Sequence, residues 1–423
     1  MKMLLLSTKA LAASFLMLSY SFTATEAADK TNTKKKKPCE ELKIGEETIV
    51  PGEDYLHERN ARLMTDQMLE RDVPGNAYRG FHPKTIGCVS GTFTVDKDLP
   101  KDLRVGLFSK PGKKYEAYAR ISHVTPIYPP DSIGDAMQLG KSIGLVLYGV
   151  DGKKLQPAFE DSNEFHFLMN SANEFWCPDM LCMSSLITNI RRSKDRPTIP
   201  SNPDNIFAQV GEFASWSDEN AATMQRILDE NAYGSSQGHV GAIAVWSQAP
   251  FMFGNGRAAK FSLIPCNEDF HGEPLMDPEK DGDDFDPNFM STRLKKTQKE
   301  GKFLCYKLKA QFQEDTCLQP IENASVKWET EEQTLGEVVF TSEAVGDEDP
   351  KCRNVVFQPW MKTKEFRPLG GLNRGRLYAY QMLGEARQAL NGYNTAPEGA
   401  IPRGTCPYFA LHGRDTSKEK GEL

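Results

Sequence analysis

An alternation of apolar and polar residues with a period of two restricts the fold of this chain more than any other feature. The first such region, from residue 87 to about 160, contains "GCVSGTFTV", "YEAYARISHV" and "SIGLVLYGVDGKKL", separated by Gly, Pro and Asp turns. Strand-like runs return in "HVGAIAVWSQAPFMFG", "RAAKFSLIPC" and "YKLKAQFQ". Because this period, bounded by turn residues, is typical of half-buried β-strands, the sequence predicts a strand-rich centre.

Helical patterns flank that centre. Residues 53–72 carry Leu and Met at near-helical spacing, which predicts an N-terminal helix ending before Pro74. A second helix is predicted over 374–390, where Asn391 and Gly392 supply the stop because both tolerate the left-handed conformation. The irregular segment before it contains Pro and Gly, and it is predicted to be extended and wrapped over the core.

The N-terminus has the layout of a cleavable signal peptide. Lys2 and Lys9 precede an apolar run followed by small residues, so we assign residues 1–27 to the signal. The "KKKK" run predicts a solvated, polar basic tail over 28–52, with a membrane-surface patch as the alternative. Because no stretch is long and apolar enough to span a bilayer, we expect an exported protein, periplasmic or secreted, without an integral membrane segment.

Composition narrows the partners and the covalent chemistry. A formal net charge of −7 argues against nucleic acid as the main partner. Nine cysteines in an exported chain permit disulfides. Cys177 and Cys182 are close enough in sequence to bridge, or are two partly buried thiols. The loop-rich stretch 267–300 contains "DPEKDGDDFDPN", which lacks the carboxylate that a calcium loop needs at its twelfth position, so we predict an acidic surface loop.

The late helix carries an unusual polar stripe. Arg376, Tyr380 and Arg387 follow one another at intervals of four and seven residues and therefore share one face. A phenol ionises near pH 10, so it serves as an anionic metal ligand only where a metal and a nearby cation stabilise the phenolate. Arg376 can be that cation. The alternative is a buried Tyr380 with surface arginines.

A second polar pattern lies on the strand 115–124. Period two places Arg120 and Ser122 on one face together with Tyr118. If that face is buried, Arg120 needs an anion, since an unpaired interior charge is costly, and Ser122 can orient a neighbouring histidine. The alternative is an outward polar face opposite an inward face of small and apolar residues.

Two further stretches offer groups for acid–base chemistry. In "RGFHPKTIGC", Arg79 can meet an anionic group while His82 supplies acid–base catalysis near neutral pH. In "FHFLMNSANEF", Asn170 offers an amide donor. The alternatives are a satisfied polar role for His82 and a capping or turn role for Asn170.

In combination these stretches resemble the haem catalase family, and more closely its catalase-related branch of shorter exported proteins. The R-x-x-H and R-x-x-x-Y spacings occur in the family's order, within a resemblance that covers most of residues 60–390. The segments that carry it are "RGFHPKTIGCVSGTF" (79–93), "ARISHV" (119–124), "MNSANEF" (169–175), "QAPFMFGNGRAAKFSLIP" (248–265), "PIENASVKW" (320–328) and "FQPWMKTKEFRPLGGLNRGRLYAY" (357–380).

The resemblance implies a role for each candidate residue around a haem b cofactor. Tyr380 matches the phenolate ligand of the haem iron, and Arg376 matches its charge partner. On the opposite, distal side, His82 matches the acid–base histidine, Asn170 the amide and Ser122 the residue that holds the histidine. The remaining matches are the propionate-binding arginines and a residue of the distal pocket wall: Arg79, Arg120, Arg387 and Phe175.

The resemblance also implies an α+β fold, in which haem is buried between an antiparallel β-barrel, a wrapping segment and flanking helices. We expect a single haem domain over 53–423, with the barrel over 79–330, the wrapping segment over 331–373 and the tyrosine helix over 374–390. The strand-rich centre fits this arrangement independently.

The implied activity is the breakdown of hydrogen peroxide as protection against oxidative stress. Relatives that rearrange fatty-acid hydroperoxides leave a low-turnover peroxidase or an enzyme of the allene oxide synthase type as alternatives. A secreted haem-binding protein without catalysis is the alternative from another class. The chain departs from the family at Lys141 and Ser142, where an Arg-Gly pair is usual, and whether it forms a homo-oligomer stays open.

Overall fold

The computed structural model describes residues 38–124, 134–136, 139–156, 159–192 and 220–392. Its helices are α1 (Glu53–Arg71), α2 (Met180–Arg192), α3 (Ala221–Gly234), α4 (Pro278–Asp281), α5 (Phe289–Lys299), α6 (Pro350–Asn354) and α7 (Gly370–Leu390). Its strands are β1 (Thr85–Val95), β2 (Lys114–His123), β3 (Lys141–Tyr148), β4 (Phe165–Asn170), β5 (Val245–Trp246), β6 (Phe251–Met252), β7 (Ala258–Pro265), β8 (Leu304–Phe312) and β9 (Glu332–Phe340).

The strands form a closed antiparallel barrel. They follow the order β5-β4-β3-β2-β1-β9-β8-β7, and β5 pairs with β7 to complete the ring, while the short β6 adds to β7. The closing contacts are Asn170 opposite Trp246 and Val245 opposite Leu263. Closure leaves the barrel strands without an unpaired sheet edge. The predicted α+β fold with an antiparallel barrel and flanking helices is thereby confirmed.

Aromatic and aliphatic side chains fill the barrel interior. Ala117, Ala119 and Ile121 of β2 point into this core, where Phe366 from the segment before α7 stacks edge-on against Phe108 and Phe253. The alternating residues of the same strand, Tyr118, Arg120 and Ser122, point away from the barrel axis. They are nonetheless buried.

A second layer, made of the chain after β9, covers this outer face. Tyr118 packs in a cluster with Cys88 of β1 and with Cys352 and Val355 from the α6 region. The polar face of β2 therefore points outward from the barrel, as the alternative prediction had it, and is still shielded from water. The candidate residues of β2 consequently face α7 and the segment that precedes it.

The tyrosine helix α7 is held firmly against α1. Arg374 donates to Glu53 Oε2 at 2.9 Å and to Glu322 Oε2 at 2.9 Å. Burial alone would raise the pKa of Glu53, but the hydrogen bonds from Arg374 and His57 hold it at about 2. Gly375 permits the close approach, because an added Cβ would lie 2.9 Å from His57 Nδ1. These contacts fix the position of the residues that follow on α7.

Two expected boundaries differ from the structure. The wrapping segment was expected to begin at residue 331, but residues 332–340 form β9 and complete the barrel between β1 and β8. The wrapping segment therefore starts after Phe340. The loop-rich stretch 267–300 contains a helix, α5, whose Phe289, Met290 and Leu294 are buried in the core. That helix covers one part of the barrel core, which a loop of polar residues cannot do.

The expected basic tail over 28–52 is corrected for its second half. A disulfide joins Cys39 to Cys317, Gly45 N donates to Gln313 Oε1 at 2.9 Å, and Glu47 accepts from Arg374 at 2.5 Å. Residues 38–52 are thus bonded to the domain, because the partly buried guanidinium of Arg374 and the sulfur of Cys317 provide partners. The predicted signal peptide 1–27 and the "KKKK" run lie outside the described residues.

Four disulfides are formed among the described residues. Cys177 bridges to Cys182, which decides between the two alternatives for that pair. The other bridges join Cys39 to Cys317, Cys88 to Cys352 and Cys266 to Cys305. Cys406, the ninth cysteine, lies outside the described residues. Among the described helices, none combines the length and the apolar character needed to cross a bilayer.

Candidate functional site

A pocket of about 700 Å³, including its opening to solvent, lies between the outer wall of the barrel and α7. It is lined by the segment before β1, by β2, β3 and β4, by the wrapping segment and by α7. Seven of the predicted site residues share this lining: Arg79, His82, Arg120, Ser122, Asn170, Tyr380 and Arg387. Residues that the sequence scatters from the segment before β1 to α7 therefore meet in one cavity.

His82 presents a neutral imidazole to the pocket. Its Nδ1 lies 3.2 Å from the carbonyl oxygen of His123. A carbonyl only accepts hydrogen bonds, so Nδ1 carries the proton and Nε2 keeps a free lone pair. Withdrawal from bulk water, reinforced by the nearby charge of Arg120, lowers the pKa of His82 to about 3. The ring is therefore a proton acceptor over the whole physiological pH range.

The sequence led us to expect that Ser122 holds the histidine, but in the structure it does not. Its hydroxyl pairs with Ser142 Oγ at 3.0 Å, and the histidine is held by the backbone of His123 instead. The reason is the backbone at His82, whose φ of 53° is in the left-handed region. That conformation directs the ring to the carbonyl next to Ser122.

Asn170 occupies the end of β4, where the strand leaves the barrel wall. Its Nδ2 donates to Gln248 Oε1 at 2.9 Å, and the residue lines the pocket. The strand pairing that fixes its backbone is Asn170 opposite Ser142 of β3. Asn170 is thus held both through its backbone, by the strand pairing, and through its side chain, by the hydrogen bond to Gln248.

Three buried or half-buried arginines make one end of the pocket strongly cationic. Arg79 donates to Val355 O at 2.7 Å and to Arg353 O at 2.9 Å, and Arg387 donates to that same Arg353 carbonyl. Arg120 donates to His82 O at 2.9 Å. Backbone carbonyls orient these guanidiniums, and the carboxylate of Asp347 acts on both Arg79 and Arg120.

The electrostatics of this cluster favour an anion. Burial, followed by the charges of Arg387 and Arg120, lowers the pKa of Arg79. Burial lowers the pKa of Arg120 to about 10, against the opposing effect of Asp347, with Arg387 adding to the lowering. Arg120 Nε is buried and has no hydrogen-bond partner among the described residues. An acceptor group with negative charge would relieve both the repulsion and the unsatisfied donor.

Tyr380 stands on the helical wall of the pocket. The guanidinium carbon of Arg376, one turn earlier, lies 5.4 Å from the centre of its ring, while Arg376 Nη1 donates to Asn373 Oδ1 at 3.0 Å. Arg376 is therefore placed over the ring and does not line the pocket. The ring of Phe81 also stacks on the Tyr380 ring, with ring centres 5.2 Å apart. Among the described residues, none hydrogen-bonds to the phenol oxygen.

Phe175 lies outside the described lining, contrary to its predicted place on the pocket wall. Its backbone N donates to Ala324 O at 2.9 Å, and its ring stacks on Trp176 with centres 5.7 Å apart. The chain turns away from the pocket after β4, which carries this ring into a cluster with Met180 and Met183. The prediction for Phe175 is thus wrong as regards its contact with the cavity.

Sequence reasoning missed part of the pocket wall. Phe357 lines it opposite Gly144, where an added Cβ would lie 2.8 Å from the Phe357 ring. A glycine inside the apolar strand β3 marks a close approach of another group, so "SIGLVL" contained the signal. Phe81 gave no comparable signal, because a single aromatic residue before a strand has many ordinary uses.

Apolar side chains complete the cavity and define what it can hold. Ile143, Leu168, Met169, Val356 and Leu383 line it together with Phe357. A cavity with apolar walls, a cationic end and an accessible phenol oxygen suits a flat, largely apolar group that carries carboxylates and a metal ion.

Comparison with known proteins adds information on the fold. Comparisons with protein families and with curated protein sequences find no match. Among solved structures, a fungal catalase is similar with a TM-score of 0.59 and 13% identity, covering 78% of this chain and 62% of that one. The chain has the catalase fold. Catalase A from Saccharomyces cerevisiae matches with a TM-score of 0.59 and 15% identity, covering 84% of this chain and 68% of its own.

The extent of the match limits what the catalase fold says about function. This chain spans about 62% of the length of the fungal catalase. At such identities the likeness concerns the fold, and a fold by itself supports many activities. What the chain does therefore depends on the residues of its pocket.

Proposed function

We propose that this chain binds haem b in the pocket beside α7 and breaks down hydrogen peroxide, as an exported protein that protects against oxidative stress. The observation that carries this proposal is the meeting of Tyr380, His82 and Asn170 in one cavity with three arginines. The catalase fold of the chain agrees with it. Bound haem would supply the iron at which the oxygen–oxygen bond of the peroxide is broken.

The residues of the pocket fit this cofactor. The Tyr380 oxygen would ligate the haem iron, and the guanidinium carbon of Arg376 lies 5.4 Å from the centre of the Tyr380 ring. Arg79, Arg120 and Arg387 would hold the haem carboxylates, since buried guanidiniums pair well with carboxylates. The Nε of Arg120 is already buried and in need of an acceptor.

His82 would move the proton. Its Nε2 would accept a proton from one oxygen of the peroxide and return it to the other oxygen as the oxygen–oxygen bond breaks. The hydrogen bond from Nδ1 to the His123 carbonyl keeps the ring in the required tautomer. Because the pKa of His82 is about 3, no prior deprotonation is needed at neutral pH.

Asn170 would orient the peroxide. One N–H of its amide is used by Gln248, so the second N–H remains for an oxygen of the substrate. Holding that oxygen beside His82 Nε2 raises the rate by positioning the reacting groups.

The experiment is to load the purified chain with haem b and add hydrogen peroxide. Oxygen release supports catalase activity, and His82→Gln should keep the haem while losing most of this release. The exposed His271 provides a matched control, and His271→Gln should release oxygen like the parent protein. Oxidation of an aromatic donor without oxygen release would show a peroxidase, and conversion of a fatty-acid hydroperoxide would show the alternative substrate class. Haem binding without any of these reactions would leave a haem-binding protein and refute the catalytic proposal.

A further inference from the structure

Two residues stand out for their backbone conformation. Among the described residues other than glycine, only His82 and Gln248 have a positive φ, at 53° and 61°. Such a conformation is costly for residues with a Cβ, and it persists where the surrounding structure enforces it. One of the two is the candidate acid–base histidine. The other is the residue that hydrogen-bonds to Asn170.

Gln248 lies behind the pocket wall, between β5 and β6. Its side chain is buried, and it is not part of the pocket lining. Glu230 is its neighbour, since a hydrogen bond from the Gln248 side chain lowers the pKa of the Glu230 carboxyl group against the larger effect of burial. Trp176 Nε1 donates to Oε2 of the same carboxyl group. Gln248 is thus in contact with Asn170 and is itself enclosed.

The hydrogen bonds of Gln248 fix first the orientation of its own side-chain amide and then that of Asn170. Gln248 Nε2 donates to the carbonyl oxygen of Glu174 at 3.1 Å. Because a backbone carbonyl cannot donate, the nitrogen of Gln248 must face it, and Oε1 must face the other way. That oxygen can only accept, so it requires a donor from Asn170 and selects its Nδ2, which lies 2.9 Å away.

We propose that Gln248 is a positioning residue that sets the Asn170 amide with its N–H group, and not its carbonyl, toward the substrate. This inference rests on the proposed function for its catalytic consequence, but the orientation itself does not need haem. The left-handed backbone of Gln248 is maintained because it brings the side chain between Glu174 and Asn170. An Asn170 amide turned by half a rotation would present its carbonyl oxygen, which can accept from a peroxide O–H group but cannot donate a hydrogen bond to a peroxide oxygen.

The informative variant is Gln248→Gly. Glycine adopts a positive φ at no steric cost, so this variant relieves the backbone strain while it removes both amide hydrogen bonds. If the role of Gln248 were merely structural, Gln248→Gly would be a stable protein in which the Asn170 amide is unchanged. Gln248→Met serves as a second variant that retains the side-chain volume. Gln311→Met is the matched control, because Gln311 is also buried and donates to two backbone carbonyls, of Trp328 and Thr330, away from the pocket.

The first measurement concerns orientation and uses the full chain without haem. The side-chain amide of Asn170 is observed by NMR after labelling with ¹⁵N-asparagine and is assigned from its loss in Asn170→Asp. We expect two well-separated, slowly exchanging amide protons in the parent protein and in Gln311→Met. In both Gln248 variants the two signals should lie closer together in chemical shift, and the protons should exchange faster with solvent. Unchanged Asn170 signals in these variants would overturn the proposal.

The second measurement concerns catalysis by the haem-loaded protein. We expect kcat/KM for hydrogen peroxide to fall about fivefold to tenfold in Gln248→Gly, the effect of one lost oriented hydrogen bond, and to stay unchanged in Gln311→Met. Full activity of a Gln248→Gly protein whose Asn170 signals have moved would overturn the claim that the orientation matters. If the parent protein has no peroxide activity, the proposed function fails, while the NMR result still decides whether Gln248 sets the amide.

Discussion

The Nδ1 atom of His82 lies 3.2 Å from the carbonyl oxygen of His123, and this contact determines which ring nitrogen faces the pocket. The proton is held on Nδ1, which leaves Nε2 basic. Burial and the charge of Arg120 lower the pKa of the ring to about 3. The turnover of peroxide by the haem-loaded protein should therefore be flat between pH 5 and 9, with no change near the ordinary histidine value of about 6.5. An acidic limb centred near pH 6.5 would contradict this assignment.

The same histidine should contribute to stability in a pH-dependent way. Its pKa is about 3 in the folded state and 6.5 ordinarily, so between these values the unfolded chain binds the extra proton. The native state is consequently favoured above pH 6.5, and this contribution is lost as the pH falls toward 3. The melting temperature of the haem-free protein should fall more steeply over this window than that of His82→Gln. Parallel curves for the two proteins would argue against a strongly lowered pKa.

Glu230 should produce the opposite pH dependence. Burial raises the pKa of its carboxyl group to about 8, from 4.5. The native state then retains a proton between pH 4.5 and 8 that the unfolded chain releases, so stability falls as the pH rises through this window. Glu230→Gln removes the effect and should be the more stable protein at pH 8.5, by at most about 5 kcal/mol, and close to the parent at pH 5. Thermal unfolding at the two pH values measures this, with the exposed Glu331→Gln as control.

Arg120 should strengthen haem binding without stabilising the haem-free protein. Its guanidinium is buried beside other cations, and its Nε is unsatisfied among the described residues. Arg120→Met should leave the melting temperature of the haem-free protein unchanged or raised, because a costly buried charge is removed. It should weaken haem binding about tenfold to a hundredfold, since a charge-assisted hydrogen bond is lost. Arg104, which donates to Leu99 O outside the pocket, supplies the control Arg104→Met, for which haem affinity should not change.

The Cys88–Cys352 disulfide should affect the haem site through the arginines. It joins β1 to α6, and the carbonyls of Cys352 and Arg353 in α6 accept hydrogen bonds from Arg79. Replacing both cysteines by alanine should therefore lower haem affinity as well as the melting temperature. The double alanine variant of Cys266 and Cys305, whose disulfide links β7 and β8, should lower the melting temperature alone. Equal haem affinity in both variants would show that the disulfide does not support the arginines.

The sequence predicted the parts of the site that depend on regular spacing. Helical spacing placed Arg376 next to Tyr380, and period two placed Arg120 and Ser122 on one face, as the structure has them. Strand periodicity also predicted the strand-rich centre, whereas the barrel was implied by the resemblance to the haem catalase family. What the spacing does not specify is whether an outward face is later covered by another segment, and here the chain after β9 covers it.

Other features depend on contacts that residue patterns do not encode. The left-handed backbone at His82 moved its partner from Ser122 to the His123 carbonyl, and the same conformation at Gln248 concealed its link to Asn170. The attachment of residues 38–52 depends on the pairing of Cys39 with Cys317, and disulfide connectivity cannot be read from a sequence alone. Phe175 was assigned from the family order of motifs, which does not specify where the chain turns away after β4.

The ligation of haem iron by Tyr380 is tested by the absorption spectrum of the chain titrated with haem b, compared between the parent protein and Tyr380→Phe. The parent should bind one haem per chain with the spectrum of a tyrosinate-ligated ferric haem. Tyr380→Phe keeps the ring that stacks on Phe81 but lacks the ligand oxygen, so its spectrum should change and its affinity should fall. Identical spectra for the two proteins, or no haem bound by the parent, would show that Tyr380 does not ligate haem iron in this chain.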